Sequence, residues 1–250
     1  MFHFSLLLFM RLLQHEREDS SVSVVDTRTW NVVNEVCRDL WVFFAACSNT
    51  GTHIAVGGAS SRVDLFKIGQ WNNGTKIELN GNVVLNAKWH PEDKYLSLGG
   101  QNGIVKVVDI IKSNDANTKC IRFTSGIQTL DVSPDGKYVA VGKEEGVVSF
   151  VDRMAPETSS SIAYEVVVAC GLNDNRIAIQ WSPNNSYVAV GGGNMVIVFF
   201  TSPPKKESSV RHSRFSICTI IRDLDGVKSI SFRYVKHCHF TDLSSTSNTN

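Results

Sequence analysis

Few residues in this chain have the type and spacing that chemistry demands. His237-Cys238-His239 comes nearest to a metal-ligand tract. Strand alternation would set the two histidines on one face, but structural zinc usually takes four ligands, and the neighbouring sequence supplies no third or fourth. His90 precedes Pro91 in a turn and has no nucleophile partner in sequence. Gly191-Gly192-Gly193 leads into a strand rather than opening a helix, so it reads as a hairpin turn and not a phosphate cradle. The sequence contains no GxSxG, no GxxxxGK[ST], no HExxH and no GxGxxG after a strand. It therefore calls for no catalytic residue, no metal and no cofactor, and the chain is read as a non-enzyme.

Two features suit binding better. Arg38-Asp39-Leu40 recurs as Arg222-Asp223-Leu224. Such a pair can receive an acidic or peptide ligand, or close on itself as an exposed ion pair worth about 0–1 kcal/mol. The stretch 201–214, TSPPKKESSVRHSR, combines two prolines, four serines and several cations. It reads as a surface insertion or as a docking segment controlled by phosphorylation.

The elements that would position these residues are short strands. Leu130 to Asp152 reads LDVSPDGKYVAVGKEEGVVSFVD, three strands broken by a Pro-Asp-Gly turn and a Gly-containing turn. The pattern repeats. The first strand of each unit ends at Cys47, Trp89, Val132 and Trp181, spaced 42, 43 and 49 residues. Each is followed by a turn and then by HIAVGG, YLSLGG, YVAVG or YVAVGG. A period of about 40–45 residues with four strands per unit points to propeller blades. Third strands are read at Val63–Ile68, Ile104–Ile110, Val147–Val151 and Met195–Phe200, and fourth strands at Lys76–Leu79, Lys119–Phe123, Ala163–Ala169 and Ser216–Ile221. The glycines that close the second strands, at 57, 99, 142 and 191, are expected to supply positive φ for a tight turn.

These units resemble WD-repeat β-propeller blades. The likeness rests on the Ser-Pro-Asp-Gly-type turn, the Tyr-x-Ala-Val-Gly strand, and Val107–Asp109 or Phe150–Asp152 where the family often ends its third strand in Trp-Asp. It implies an all-β fold of four-stranded antiparallel blades, with about five blades or an incomplete ring of a longer propeller. It departs from the family in lacking a Gly-His before each first strand and the usual Asp in the second turn, as at Lys143-Glu144-Glu145. The buried His–Ser/Thr–Asp–Trp network of the family is therefore not expected, and apolar packing is expected to hold the blades. The resemblance also implies that the loops entering first strands and the turns leaving second strands share one rim. That rim would collect Arg38, Asp39, Arg62, Gln101, Asn102, Lys143, Glu144, Glu145, Asn194, Arg222 and Asp223 as partner-binding candidates.

The ends break the pattern. The apolar stretch 1–17 lies outside the repeat, 18–240 carries it, and the Ser/Thr/Asn-rich 241–250 is expected to be disordered. Complete blades are read at about 42–79, 84–124, 127–169 and 175–221, with a partial blade from 18–37 and 227–240. In it, Val22–Asp26 is a third strand, Trp30–Val36 a fourth, and Val227–Phe232 a further first strand. Two readings stay open: the trailing strands close a ring with the leading pair, or the chain is part of a longer propeller. In the second reading MFHFSLLLFM serves as a makeshift second strand.

Composition limits the partners. Lys+Arg 25 against Asp+Glu 24 gives a formal charge of +1, which predicts no strong pull on nucleic-acid phosphates. The apolar N-terminus is shorter than a span and is interrupted by Arg11, so no membrane partner is expected. Six scattered cysteines without a CxxC pair read as reduced, and the expected location is cytoplasmic. The function read from these features is a non-catalytic scaffold that binds protein or peptide partners through rim loops. The alternative is a propeller-type enzyme or small-ligand binder using Asn86, Lys88, Gln128, Asp131 and Gln180 on the innermost strands; its oligomeric state is left open.

Overall fold

The computed structural model describes residues 6–12, 20–26, 29–79, 83–112, 118–144, 146–154, 162–167, 177–192, 195–201, 215–221, 230–232 and 238–240. The chain divides into two compact units, Met1–Phe123 and Thr124–Asn250. Every regular element among the described residues is a β-strand. No helix among them is long and apolar enough to cross a membrane.

The first unit holds three sheets. β1 (Leu6–Leu12), β2 (Ser20–Asp26) and β3 (Val32–Arg38) form a three-stranded sheet in that order. β4 (Val42–Cys47), β5 (His53–Gly58), β6 (Arg62–Lys67) and β7 (Gln70–Glu78) form the next, and β8 (Val84–Trp89), β9 (Tyr95–Gly100), β10 (Ile104–Asp109) and β11 (Lys119–Arg122) the third. The second unit begins with the sheet of β12 (Ile127–Val132), β13 (Tyr138–Lys143), β14 (Val147–Asp152) and β15 (Ile162–Val167). It continues with β16 (Ile177–Trp181), β17 (Tyr187–Gly192), β18 (Met195–Thr201) and β19 (Phe215–Ile221), then a two-stranded sheet of β20 (Ile230–Phe232) and β21 (Cys238–Phe240). Each sheet is an antiparallel meander in chain order, so its first and third turns lie at one end and its second turn and entry loop at the other.

Strands of the β4–β7 sheet read as near-continuous apolar runs because that sheet packs on both faces. Val22, Val24 and Val36 meet Val42, Ile54 and Val56 between the first two sheets. Ala55, Val63 and Leu65 meet Ala87, Trp89, Leu96 and Leu98 between the second and third. In the second unit Ala140, Val148 and Phe150 meet Ile179, Trp181, Val190 and Phe199, with Phe150 edge-on to Trp181 and Phe199 at 6.1 and 5.8 Å. Burying each Val, Leu or Phe of this kind contributes about 1.5–3 kcal/mol.

Three sequence expectations change. The fourth strand of the 42–79 blade is longer than Lys76–Leu79, starting at Gln70, because Gly69 (φ 85°) reverses the chain at once. Its register then jumps from Leu65↔Thr75 to Lys67↔Gln70, and Trp71 folds back onto Phe66 with ring centroids 6.4 Å apart. The strand read at Trp30–Val36 runs instead from Val32 to Arg38, since Trp30 sits in a turn with φ 59° and donates its amide to Asp26 O at 2.7 Å. The glycines at 57, 99, 142 and 191 lie within strands and are not among those with positive φ. At two of them the role is space: a Cβ on Gly57 would fall 2.3 Å from Phe44 Cζ, and on Gly142 2.8 Å from Thr129 Cγ2.

Positive φ is needed one turn earlier. Gly51, Asp93, Gly136 and Asn185 occupy one position in the four first turns, with φ of 66°, 54°, 69° and 58°. In each, that residue donates its amide to the residue three before it: Ser48, His90, Ser133 or Ser182. The side chains of Ser48, Ser133 and Ser182 also accept the amide that opens the following strand, at 3.0, 2.9 and 2.9 Å. That recurring Ser (or His) is the part of the motif that shapes the turn.

Gly57→Ala is expected to cost about 1–3 kcal/mol by overpacking against Phe44. Urea denaturation followed by tryptophan fluorescence measures it, and an unchanged midpoint would contradict the close approach of the inner strand.

Candidate partner-binding rim

The end of each sheet that carries the entry loop and second turn is where sequence reading placed the candidates. Alternation along β3 buries Val36 and Arg38 and exposes Glu35, Cys37 and Asp39. Arg38 thus enters the packing between the first two sheets. Its Nη1 donates to Val56 O at 2.7 Å, and its Nη2 donates to Ser60 Oγ at 2.7 Å and Arg62 O at 3.0 Å. Asp64 Oδ2 lies 3.2 Å from Nη1, with only 5% and 10% of the two side chains exposed. Asp64 is shared: its Oδ1 sits 2.9 Å from Arg62 Nε. Burial pulls the Arg38 pKa down, and the facing Asp64 carboxylate opposes that pull. Arg38 was expected on the rim surface, closing on its neighbour Asp39 or receiving a ligand. Strand register gives it a buried carboxylate partner instead, and it fastens one sheet to the next.

The remaining candidates divide. Asp39 and Gln101 are exposed, and Arg62 and Asn102 are half-buried. Asn102 Oδ1 accepts the Ile104 amide at 3.1 Å and so shapes its own turn. In the second unit Lys143 is buried at the end of β13, against the expectation of free rim surface, and Glu144 is half-buried beside it. Glu145, Asn194, Arg222 and Asp223 lie outside the described residues, as do the 202–214 part of the Pro- and Ser-containing insertion and His237. The rim backbone is fixed by one bond repeated in three sheets: Ala59 N–H to Trp41 O at 2.8 Å, Gln101 N–H to Val83 O at 3.0 Å, and Glu144 N–H to Gly126 O at 3.0 Å.

Sequence reading missed the most distinctive group on this end. Leu40, Trp41 and Phe43 are 42%, 53% and 39% exposed. The register between β4 and β5 passes from Val42↔Gly58 to Phe44↔Gly57, leaving Phe43 as an extra residue. Such a bulge re-aims one side chain: Val42 and Phe44 pack into opposite cores, and Phe43 joins neither. The same bulge recurs with Leu85 and Gln128 as the extra residues.

The inner-strand polar residues act within the packing. Asp131, buried on β12, accepts the amide of Trp181 on β16 at 2.8 Å. Gln180 donates to Trp181 O at 3.3 Å. In the first unit Trp89 Nε1 donates to Ala46 O at 2.9 Å. His90 Nε2 and Ser97 Oγ lie 2.8 Å apart and fully buried. The expectation that apolar packing alone holds the blades is therefore corrected, because these polar bonds join strands and sheets. Among the described residues no group of three or more His, Cys, Asp or Glu is arranged to hold a metal. Cys37, Cys47 and Cys120 are free thiols, and burial raises the Cys47 pKa, which keeps it a protonated, apolar filler.

At the opposite end, turns of successive sheets are latched. Asp93 accepts the Asn49 amide at 2.7 Å, Asn49 Nδ2 at 2.8 Å and the Thr50 amide at 2.6 Å. Asn185, at the same turn position in the second unit, acts on Asp135 of the preceding sheet and favours its ionised form. Burial works to raise both carboxyl pKa values. Bonds from Thr50 and Asn49 outweigh it at Asp93, and those from Ser133, Lys137 and Asn185 outweigh it at Asp135, so both end below the ordinary carboxylate value.

No protein-family model matches the chain, and no curated protein matches it. Among solved structures, the Myceliophteria_thermophila Cps50 (Swd1) beta-propeller domain matches with a TM-score of 0.63 at 14% identity, covering 83% of this chain and 66% of that one. A chain of the Mitotic Checkpoint Complex matches with a TM-score of 0.65 at 17% identity, covering 84% of this chain and 60% of that one. This is an all-β protein with a β-propeller fold of four-stranded antiparallel blades. It spans less than two thirds of the length of both neighbours.

Removing Asp64 (Asp64→Ala) leaves Arg38 buried without its counter-charge and is expected to cost about 3–5 kcal/mol in equilibrium unfolding. The double replacement Arg38→Met/Asp64→Leu is expected to lose less than half of that, and equal losses would refute the pairing. The depressed pKa values of Asp93 and Asp135 give stability that is complete above the unfolded value near 3.8 and lost as pH falls through the lower folded values. Asp93→Asn should therefore flatten the fall in urea midpoint between about pH 5 and pH 3; an unaltered slope would show that the latch carries no linkage.

Proposed function

We propose that this protein is a non-catalytic interaction scaffold of the WD-repeat type, which binds a protein or peptide partner through the rim built from entry loops and second turns. The observation that carries this reading is the group Leu40, Trp41 and Phe43, held exposed on a rigid rim in the first unit. Aromatic residues and arginine dominate binding hot spots because they bury large area at low entropic cost, with polar neighbours excluding water around them. Asp39, Arg62, Gln101 and Asn102 are the polar neighbours on the same end of the first unit, and Glu144 has the equivalent place in the second.

Two further observations support the scaffold. The rim backbone is preset by its repeated amide bonds, so little ordering cost falls on binding. One neighbouring structure is the Mitotic Checkpoint Complex, an assembly with this fold in one of its chains. The absence of a catalytic motif in the sequence agrees with a role in binding.

Crosslinking and affinity capture of the full chain, against the same chain carrying Trp41→Ala and Phe43→Ala, tests this. Partner affinity is expected to fall about tenfold or more, at about 1–2 kcal/mol per anchor. The thermal midpoint should change by less than about 3 °C, since neither side chain is in the core. Partner recovery unaffected by both substitutions would overturn the reading.

A further inference from the structure

An asparagine followed by glycine is chemically unstable when both are exposed and unrestrained. Glycine has no Cβ, so its amide nitrogen is unshielded and can approach the Asn side-chain carbon. The sequence contains three such pairs: Asn73-Gly74, Asn80-Gly81 and Asn102-Gly103. The second lies outside the described residues. The fold treats the other two in opposite ways.

Asn102-Gly103 is restrained at both reacting groups. Asn102 is half-buried, and its Oδ1 accepts the Ile104 amide at 3.1 Å. The Gly103 amide donates to Gly100 O at 3.1 Å. Asn73-Gly74 has neither restraint. It lies on β7, the outer edge of its sheet. Where the pairing passes from Leu65↔Thr75 to Lys67↔Gln70, residues 71–74 are left without ladder partners. Asn73 is exposed, and among the described residues its side chain makes no hydrogen bond. The glycine after it is fixed by packing. A Cβ on Gly74 would fall 2.7 Å from Phe66 Cε1, and Trp71 rests against the same ring at 6.4 Å between centroids. A side chain at 74 would have to displace that pair of rings.

We propose that Asn73 is a site of spontaneous deamidation in the folded protein, and that the fold protects Asn102 from the same reaction. The Gly74 amide gives its proton to solvent base, and its nitrogen bonds to Asn73 Cγ. The Cγ–Nδ2 bond breaks, and Nδ2 leaves with a solvent proton as ammonia. Water then opens the cyclic imide at either carbonyl, leaving aspartate or isoaspartate. The reaction consumes water alone and involves no oxidant or reductant. Because 71–74 have no ladder partners, the added backbone methylene of the isoaspartyl form breaks no strand pairing. Each event adds a negative charge to the outer edge of the sheet, and edge charges oppose pairing with strands of other molecules.

The test incubates the full chain at neutral and at mildly alkaline pH, folded and in urea. Cleavage after lysine then places Asn73 in the peptide 68–76 and Asn102 in the peptide 95–106. Mass spectrometry with fragmentation measures acid at each position, and chromatography separates aspartyl from isoaspartyl forms. In the folded chain acid is expected at 73 about tenfold faster than at 102, where local bonds must open first. The rate at 73 should rise with pH, because the attacking amide must lose its proton. In urea the two rates should converge. An Asn73→Gln chain, whose ring closure needs a larger imide, should keep the same urea midpoint and leave 68–76 unmodified. Equal rates at 73 and 102 in the folded chain, no acid at 73 in the folded chain, or the same acid content in 68–76 of the Asn73→Gln chain overturns the proposal.

Discussion

In this fold the inner strand of a sheet lies tightly against the end of the strand beside it. There is no room for a Cβ at Gly57 or Gly142, and the Trp41 carbonyl oxygen occupies the space a side chain on Gly58 would need. Much else depends on that approach. It draws the entry loop down onto the second turn, where the Ala59 amide reaches Trp41 O at 2.8 Å. In three of the four complete sheets the inner strand takes up an extra residue there, so that Phe43, Leu85 and Gln128 bulge out of register, while β16 meets Gly191 and Gly192 without a shift. The glycine costs backbone entropy, and the close packing it permits offsets that cost.

Polar groups then fix which sheets are neighbours. Apolar strands of similar volume could slide or exchange without a large penalty. Arg38 has four partners on the adjacent sheet, and a slip of one residue would turn it to solvent and leave Asp64 with a single arginine. A buried pair of this kind adds little net stability over an apolar one, but it penalises the wrong pairing heavily. Asp131 with the Trp181 amide, and Asp93 with Asn49 and Thr50, do the same at other heights of the sheets.

The repeat was legible because it is a backbone requirement written in residue type. Four turns need a left-handed residue, and the sequence supplies Gly51, Gly136 and the two residue types that tolerate it, Asp93 and Asn185. First, second and third strands of the complete sheets followed from those turns to within a residue or two, whereas the fourth strand that begins at Gln70 was read from Lys76. The glycines of the second strands were assigned the wrong cause, because sequence alone does not separate a glycine needed for φ from one needed for clearance. The site was less legible. Arg38 and Asp39 are adjacent in sequence, and only register shows that one is buried and the other exposed. Pairing of Arg38 with Asp64 spans 26 residues and leaves no local pattern. Trp41 and Phe43 were overlooked as surface because an apolar run reads as core unless a bulge is foreseen.

That bulge is also why binding is better placed on the rim than on the inner strands. An extra residue must leave the ladder, and at Phe43 it leaves as a large apolar group with water on one side. The inner-strand polar groups Asp131 and Gln180 bond to Trp181 on the same or the adjacent strand, so a ligand reaching them would have to break bonds that hold sheets together. A partner reaching Trp41 and Phe43 breaks none. The same close packing thus leaves apolar area exposed at the rim of the first unit, among the described residues.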